Sequence, residues 1–349
     1  MVLDPWRPTA GIVERIGKGD VPMSAGVTYV RDDRMEDRLE DHRVALTGFC
    51  YRMLGSPFEA EDAVQETLVR AWRALDRFEG RAALRSWLFG IATNVCIDML
   101  NAGRRRALPM DLGSPAAADT RIGAPLPEHR WVWPVANGLV LPRTDDPAEA
   151  AVGRESIRLA FVAALQHLSP RQRAVLILRD VLRWRASEVA ELLDCTTGSV
   201  HSMLRRARAA LAAAGGTGTP PAPAAGHEQA AVVERYVAAF ERFDMDAVVE
   251  LLHEDVVLSM PPLQLWMRGA GVVRDWFVAA PFGCRDVRLV PVEANGSPAL
   301  ASYRPRVDGH HEAFGIQVLD LSGDRVAGIH AFLDVRLFPL FGVPTAVPS

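Results

Sequence analysis

Residues 167–211 read HLSPRQRAVLILRDVLRWRASEVAELLDCTTGSVHSMLRRARAAL. Ser169-Pro170-Arg171-Gln172 is a capping box, with Ser at the N-cap, Pro at the first helical position and Gln three residues past the cap. Val175, Leu178, Val181 and Leu182 then share one face at helical spacing. The pattern predicts a short helix over Ser187–Leu193, a tight turn at Asp194-Cys195, and a third helix from Thr197 to about Ala212. Val200, Leu204, Ala207 and Leu211 form its apolar stripe, while Gly198, Ser199, His201, Ser202, Arg205 and Arg206 occupy other faces. This is the order of a helix-turn-helix. Such a unit sets its second helix in the DNA major groove and its first across the backbone. Thr196 can cap the reading helix. Ser199, His201 and Ser202 have the size for base edges, and Arg205 and Arg206 suit phosphates or guanine. The bland alternative is a three-helix bundle with a solvated arginine face.

Upstream, residues 61–109 read EDAVQETLVRAWRALDRFEGRAALRSWLFGIATNVCIDMLNAGRRRALP. Ser56-Pro57-Phe58-Glu59 starts a helix by the same capping box, and Val64, Leu68, Trp72 and Leu75 recur at helical spacing. Gly80 interrupts, and Leu84, Leu88, Ile91 and Val95 form a second stripe that ends at Arg104-Arg105-Arg106. Glu59, Glu61, Asp62 and Glu66 suit a helix N-terminus through its dipole alone. Trp87 and Asn94 ahead of a basic run supply what single-stranded DNA needs, a stacking face and phosphate neutralisation. A core role for Trp72 and Trp87 is equally consistent with the spacing.

Between these helical blocks, Pro109–Glu149 is rich in Pro, Gly and Ala, yet carries Trp131-Val132-Trp133-Pro134. It is too long for an ordinary loop. Two tryptophans in a solvated tether are unusual, so part of it is expected to dock. Residues 1–38 read as a flexible extension, and GGTGTPPAPAAG at 215–226 as a second linker. Beyond it come two helix-like segments, Ala230–Phe240 and Met245–Leu252. Five β-like runs follow at Val256–Met260, Val287–Val292, Ala299–Tyr303, Gly315–Leu321 and Arg325–Phe332. This is an α+β texture.

The chain of 349 residues has a net charge of −4, which taken alone argues against a nucleic-acid partner. The average conceals an asymmetry. Arg81–Ala107 and Pro170–Leu211 each carry +4, and Glu228–Pro344 carries −6. No run of about 18 uncharged apolar residues suggests a membrane span, and no apolar leader suggests secretion, so a cytoplasmic location is expected. Cys50, Cys96, Cys195 and Cys284 are scattered, without the paired spacing of a zinc site or disulfide scaffold. No metal or cofactor is expected.

The segment at 61–109 resembles region 2 of bacterial RNA polymerase sigma factors of the extracytoplasmic-function (ECF) group. The segment at 167–211 resembles region 4 of the same sigma-70 family, in the family's order. The resemblance implies core RNA polymerase and promoter DNA as partners. Asp62, Gln65, Glu66, Arg70 and Trp72 would grip the polymerase. The stretch from Phe78 to Trp87, with Asn94, Asp98 and Arg104, Arg105 and Arg106, would capture the −10 element with a base flipped from the stack. Ser199, His201, Ser202, Arg205 and Arg206 would read the −35 duplex. The tryptophan-bearing linker corresponds to the segment that threads toward the polymerase active site. Arg183 and Arg185 flank Trp184 where relatives often carry small residues. Asp194 stands where a turn glycine is common, and Asp tolerates that left-handed conformation.

VVERYVAAFERFDMDAVVELLHEDVVLSMPP and LWMRGAGVVRDWF resemble the SnoaL-like branch of the NTF2-like fold, a curved sheet and helices around a pocket. Sigma factors with this appended domain form a subgroup of the SigJ/SigG type, in which it is thought to regulate in cis. The candidate pocket residues are Trp266, Trp276 and Tyr303, with a small molecule as candidate ligand. An anti-sigma partner is left open. The alternative is a pocket enzyme of the cyclase or hydrolase type fused to a DNA-binding module, with His253, Asp255, His310 and His330 as candidate acid/base groups, none at diagnostic spacing.

The expected architecture is therefore multidomain: two all-α sigma domains and a C-terminal α+β NTF2-like domain. Its boundaries are an extension at 1–38, region 2 at 39–108, a linker at 109–150 and region 4 at 151–214. A Pro/Gly linker at 215–227, the SnoaL-like domain at 228–344 and a tail at 345–349 complete it.

Overall fold

A computed structural model of the chain describes residues 38–75, 78, 83–102, 106–213, 226–279, 283–307 and 309–348. The extension at 1–38 and the linker at 215–227 fall almost wholly outside these residues, as do Arg104 and Arg105.

Helix α1 (Arg43–Leu54) is buried on every side from Leu46 to Leu54, so it forms the axis of the first bundle. Gly55 ends it at φ 73°, its N–H bonding Tyr51 O. Ser56 caps α2 (Pro57–Arg73) by accepting from Glu59 N at 3.4 Å. The face α2 buries is Ala60, Ala63, Val64, Thr67 and Ala71, turned by one residue from the stripe predicted through Leu68, Trp72 and Leu75. These small side chains let α2 lie close to its neighbours, and Trp72 is left 57% exposed. Helix α3 (Leu84–Ala102) completes the bundle.

The stretch between the helical blocks is not a tether. Ala107 pairs with Trp131 in a parallel bridge, and short helices α4 (Asn137–Val140) and α5 (Pro147–Glu155) follow. Trp131 and Trp133 are 0% and 1% exposed. Trp133 N donates to Gly55 O at 2.9 Å, Trp133 O accepts from Tyr51 Oη at 2.8 Å, and its ring packs near Phe58 and Phe332. The stretch also lies along the C-terminal domain: Ala116 N donates to Trp266 O and Leu126 N to Pro262 O.

The helix-turn-helix half contains α6 (Leu159–Leu165), α7 (Pro170–Leu176), α8 (Ala186–Leu192) and α9 (Thr197–Ala213). A π-helical turn over Ile177–Val181 extends α7. Ser169 N donates to Gln172 Oε1 at 3.2 Å, as the capping box requires.

In the last domain, helices α10 (Gly226–Glu241), α11 (Met245–Leu251) and α12 (Ala270–Ala279) accompany a seven-stranded mixed sheet. Its strands are β1 (Leu252–Ser259), β2 (Trp266–Arg268), β3 (Arg288–Ala294), β4 (Ser297–Pro305), β5 (His310–Ser322), β6 (Arg325–Phe332) and β7 (Ala346–Pro348). The order is β2-β1-β6-β5-β4-β3, with β7 on β5, so the tail expected at 345–349 supplies an edge strand instead. Only β1–β6 is parallel among the described pairs. A short helix, α13 (Leu337–Leu340), precedes β7.

Side-chain alternation gives the sheet two buried faces. Leu258, Leu289, Leu300, Leu319 and Ile329 share a core with the domain's own helices. Ala299, Ala301, Tyr303, Ile316, Val318 and Phe332 instead join the core of the helical half. The sheet is thus the middle layer of the molecule, and one continuous apolar core runs from α1 through Trp131 and Trp133 into β4, β5 and β6. No helix among the described residues is long and apolar enough to cross a membrane.

Candidate nucleic-acid and partner interfaces

The N-terminus of α9 is built as a reading edge. Thr196 Oγ1 accepts from Ser199 N at 3.1 Å, and Asp194 takes the turn at φ 48°, the left-handed conformation expected of it. Ser199, His201, Arg205 and Arg206 are exposed and Ser202 is half-buried. Arg208 holds the helix from behind, donating to both carboxylate oxygens of Asp180 at 2.9 and 2.6 Å. Arg183 and Arg185 are exposed on either side of buried Trp184, with Arg183 at φ 59°.

On the first bundle, Asp62, Gln65, Glu66, Arg70 and Trp72 are all exposed on α2. Arg70 Nε meets Glu66 at 2.7 Å. Trp87 is half-buried against Phe78, ring centroids 4.8 Å apart, so it is partly core and partly available. Asn94 is exposed. Arg106 departs from expectation. It is 4% exposed, its Nη1 donates to Trp131 O at 2.7 Å and Glu128 O at 3.1 Å, and its Nη2 pairs with Glu59. The last residue of the basic run is committed to holding the linker, and in this arrangement it cannot face DNA.

The pocket expectation is corrected in two of three places. A cleft between the sheet and its helices is lined by Trp276, Phe240, Phe314, Ser302, Arg304 and Gln317, among others. Ser302 accepts from Gln317 Nε2 at 2.8 Å. Tyr303 points through the opposite face of β4, packs on Phe338 and donates its hydroxyl to Pro344 O. Trp266 turns its indole N–H to Gly113 O at 2.8 Å and so binds the linker. None of His253, Asp255, His310 and His330 lines the cleft. His330 lies on the sheet's other face, between Ser259 Oγ at 2.8 Å and Asp320 Oδ2 at 3.0 Å. Burial alone would raise the Asp320 carboxyl, but the His330 hydrogen bond and charge, with Arg158, hold it below its ordinary value. Among the described residues, no cluster of three His, Cys, Asp or Glu side chains could hold a metal.

The contact that sequence reading missed is at the β3–β4 hairpin tip. Asn295 is wholly buried at φ 54°. Its Nδ2 donates to Tyr51 Oη and to Ile157 O, both at 2.6 Å, and its Oδ1 accepts from Val135 N at 2.9 Å. One side chain therefore ties the third domain to α1, to the linker and to the entry of the helix-turn-helix half. Gly296, at φ 71°, follows because a Cβ there would lie 2.6 Å from Arg154 O. Asn-Gly between alternating strands is a hairpin signal. Nothing local shows what its tip would enter.

A helical bundle and a helix-turn-helix fused to a SnoaL-type sheet domain define a DNA-reading transcription protein with an added α+β domain. Residues 39–106 match Sigma-70 region 2, residues 158–211 match Sigma-70, region 4, and residues 233–330 match the SnoaL-like domain family. ECF RNA polymerase sigma factor SigG of Mycobacterium tuberculosis is 44% identical over 329 residues, covering 90% of this chain and 86% of that protein. SigJ of the same organism is 33% identical over 220 residues, 62% of each chain. The crystal structure of SigJ matches with a TM-score of 0.55 at 26% identity, covering 87% of this chain and 96% of that one. The chain belongs to the ECF RNA polymerase sigma factors and carries a C-terminal SnoaL-like domain.

Proposed function

We propose that the protein directs promoter-specific initiation through core RNA polymerase, and that its SnoaL-like domain regulates this in cis by holding regions 2 and 4 together. The α2 face around Trp72 is the polymerase contact. Trp87 and Asn94 serve the −10 strand, with Arg104 and Arg105 assigned there from sequence alone. Ser199, His201, Ser202, Arg205 and Arg206 serve the −35 duplex. Arg106 is withdrawn from that set.

Asn295 carries the regulatory part of this reading, because it bonds to region 2, linker and region 4 at once. Elements named −10 and −35 lie about 25 base pairs apart, on the order of 80 Å along B-DNA. In the docked chain α3 of region 2 packs on α8 of region 4, with Leu192 beside Gly90. Reading both elements together requires that contact to open. The cleft supports binding over acid–base turnover, since its described lining contains no carboxylate or imidazole.

The test is transcription with purified core polymerase. Asn295→Ala should raise transcript yield from a cognate promoter while core binding persists. Failure of the unaltered chain to direct initiation from any genomic promoter would reject the sigma assignment, and unchanged yield from Asn295→Ala would reject the cis-regulatory part.

A further inference from the structure

Among the described residues, the interface between region 2 and the chain that enters region 4 contains a cation without an anion. Arg52, on α1, is 4% exposed. Its Nε and Nη2 donate to Ser156 Oγ at 3.1 and 2.7 Å, and its Nη1 donates to Gly48 O at 2.7 Å. Ser156 Oγ in turn donates to Gly153 O at 2.7 Å. Every acceptor Arg52 meets among the described residues is neutral. Buried Arg106, by contrast, has Glu59.

Removing a guanidinium from water without a counter-charge is costly, and neutral acceptors offset only part of that cost. Burial brings the Arg52 pKa down to about 10, so the group stays charged at neutral pH. Its neighbour Tyr51 cannot serve as an anion, because burial pushes the phenol up. The guanidinium is packed closely at this interface. A Cβ at Gly48 would lie 2.4 Å from Val140 O and 2.9 Å from Arg52 Nη1, so α1, the linker and the guanidinium are in tight contact. Ser156 belongs to the C-cap of α5, outside region 2. Separation of α1 from residues 137–157 would therefore return Arg52 to water.

We propose that Arg52 is a release element for the docked arrangement: its charge is desolvated and unpaired while region 2 is docked on residues 137–157 and regains hydration when region 2 leaves. Docking is thereby kept weak enough for a competing partner to reverse. This rests on the reading that the docked form holds regions 2 and 4 too close together to read both promoter elements at once.

Arg52→Met keeps the length of the side chain and removes the charge. In the full chain it should raise the melting temperature by about 2–4 °C. With core polymerase it should lower transcript yield roughly 5- to 30-fold, the shift in a two-state ratio that one to two kcal/mol produces. Ser156→Asp supplies the missing anion and should act in the same direction. The double variant buries an unpaired carboxylate and should lose the gain. A lower melting temperature for Arg52→Met would overturn the proposal. If that variant does not fold, Ser156→Asp decides, a rise supporting the proposal and a fall overturning it. A higher melting temperature with unchanged transcription would leave the unpaired charge established and overturn the cis-regulatory reading instead.

Discussion

Phe89 of region 2 and Trp184 of the helix-turn-helix half lie with ring centroids 5.3 Å apart and planes tilted by 48°. The Arg85 guanidinium sits over both rings, 5.6 and 5.9 Å from their centroids. Arg85 belongs to the stretch assigned to −10 capture, and Trp184 precedes α8. The two helical halves thus hold each other through groups placed beside the faces proposed for DNA.

Trp184→Ala should loosen this contact. The ring is buried, so a loss of about 3–5 kcal/mol is expected. Urea unfolding followed by the remaining tryptophans would measure it. Transcript yield with core polymerase should rise if the halves separate more readily, provided the helix-turn-helix itself stays folded by circular dichroism.

Arg205→Ala should weaken binding to −35 duplex by roughly 1–3 kcal/mol and relax preference at one base position if the guanidinium reads a base in bidentate fashion. Gel shifts on single-base promoter variants would show this. A uniform loss with a salt slope smaller by about 1 would identify a phosphate contact instead.

Arg106→Met tests the reassignment of that residue. It leaves Glu59 without its partner and frees two carbonyls, Glu128 O and Trp131 O. A loss of about 2–3 kcal/mol is expected, less than for a fully buried pair because Glu59 is a third exposed. Limited proteolysis should show faster cleavage between residues 109 and 130. An unaltered linker with a shallower salt dependence of promoter binding would restore Arg106 to the DNA surface.

Asp320 links docking to acidity. Its carboxylate meets Arg158 Nη2 at 3.0 Å and His330 Nε2 at 3.0 Å, and its pKa is held below the ordinary value of 3.8. A depressed carboxylate contributes stability that is fully present above its unfolded pKa and is lost as pH falls through the lower folded value. The contribution, about 1–3 kcal/mol, should be intact at pH 7 and fade below about pH 4. Melting of the unaltered chain and of Asp320→Asn should therefore differ at neutral pH and converge in acid.

The local helical signals were legible because they depend on neighbours in sequence. The Ser56 and Ser169 boxes, the left-handed Asp194 and the Val200–Leu211 stripe needed no distant partner. Helical spacing left Trp72 open to either a core or a surface role; α2 packs through alanines, which a reading of large apolar residues overlooks, and Trp72 is exposed. Tyr303 and Trp266 were assigned to the cleft from residue type, whereas strand phase decides the matter. Tyr303 alternates with the cleft-lining Ser302 and Arg304 along β4, and Trp266 is drawn to Gly113 of the linker. That the Trp131–Trp133 segment docks was legible from its tryptophans, but its partners were not, since Asn295 and Phe332 lie about 160 and 200 residues further on.

That last separation bears on how the chain is made. Trp133 packs against Phe332, so region 2 and its linker leave the ribosome before a covering surface for their tryptophans exists. At 5–20 residues per second, the interval is roughly 10–40 s. During translation each nascent molecule passes through a stage with its sigma regions 2 and 4 complete and the SnoaL-like domain not yet synthesised. On the proposed reading, a newly made copy that met core polymerase in that interval would escape its own restraint.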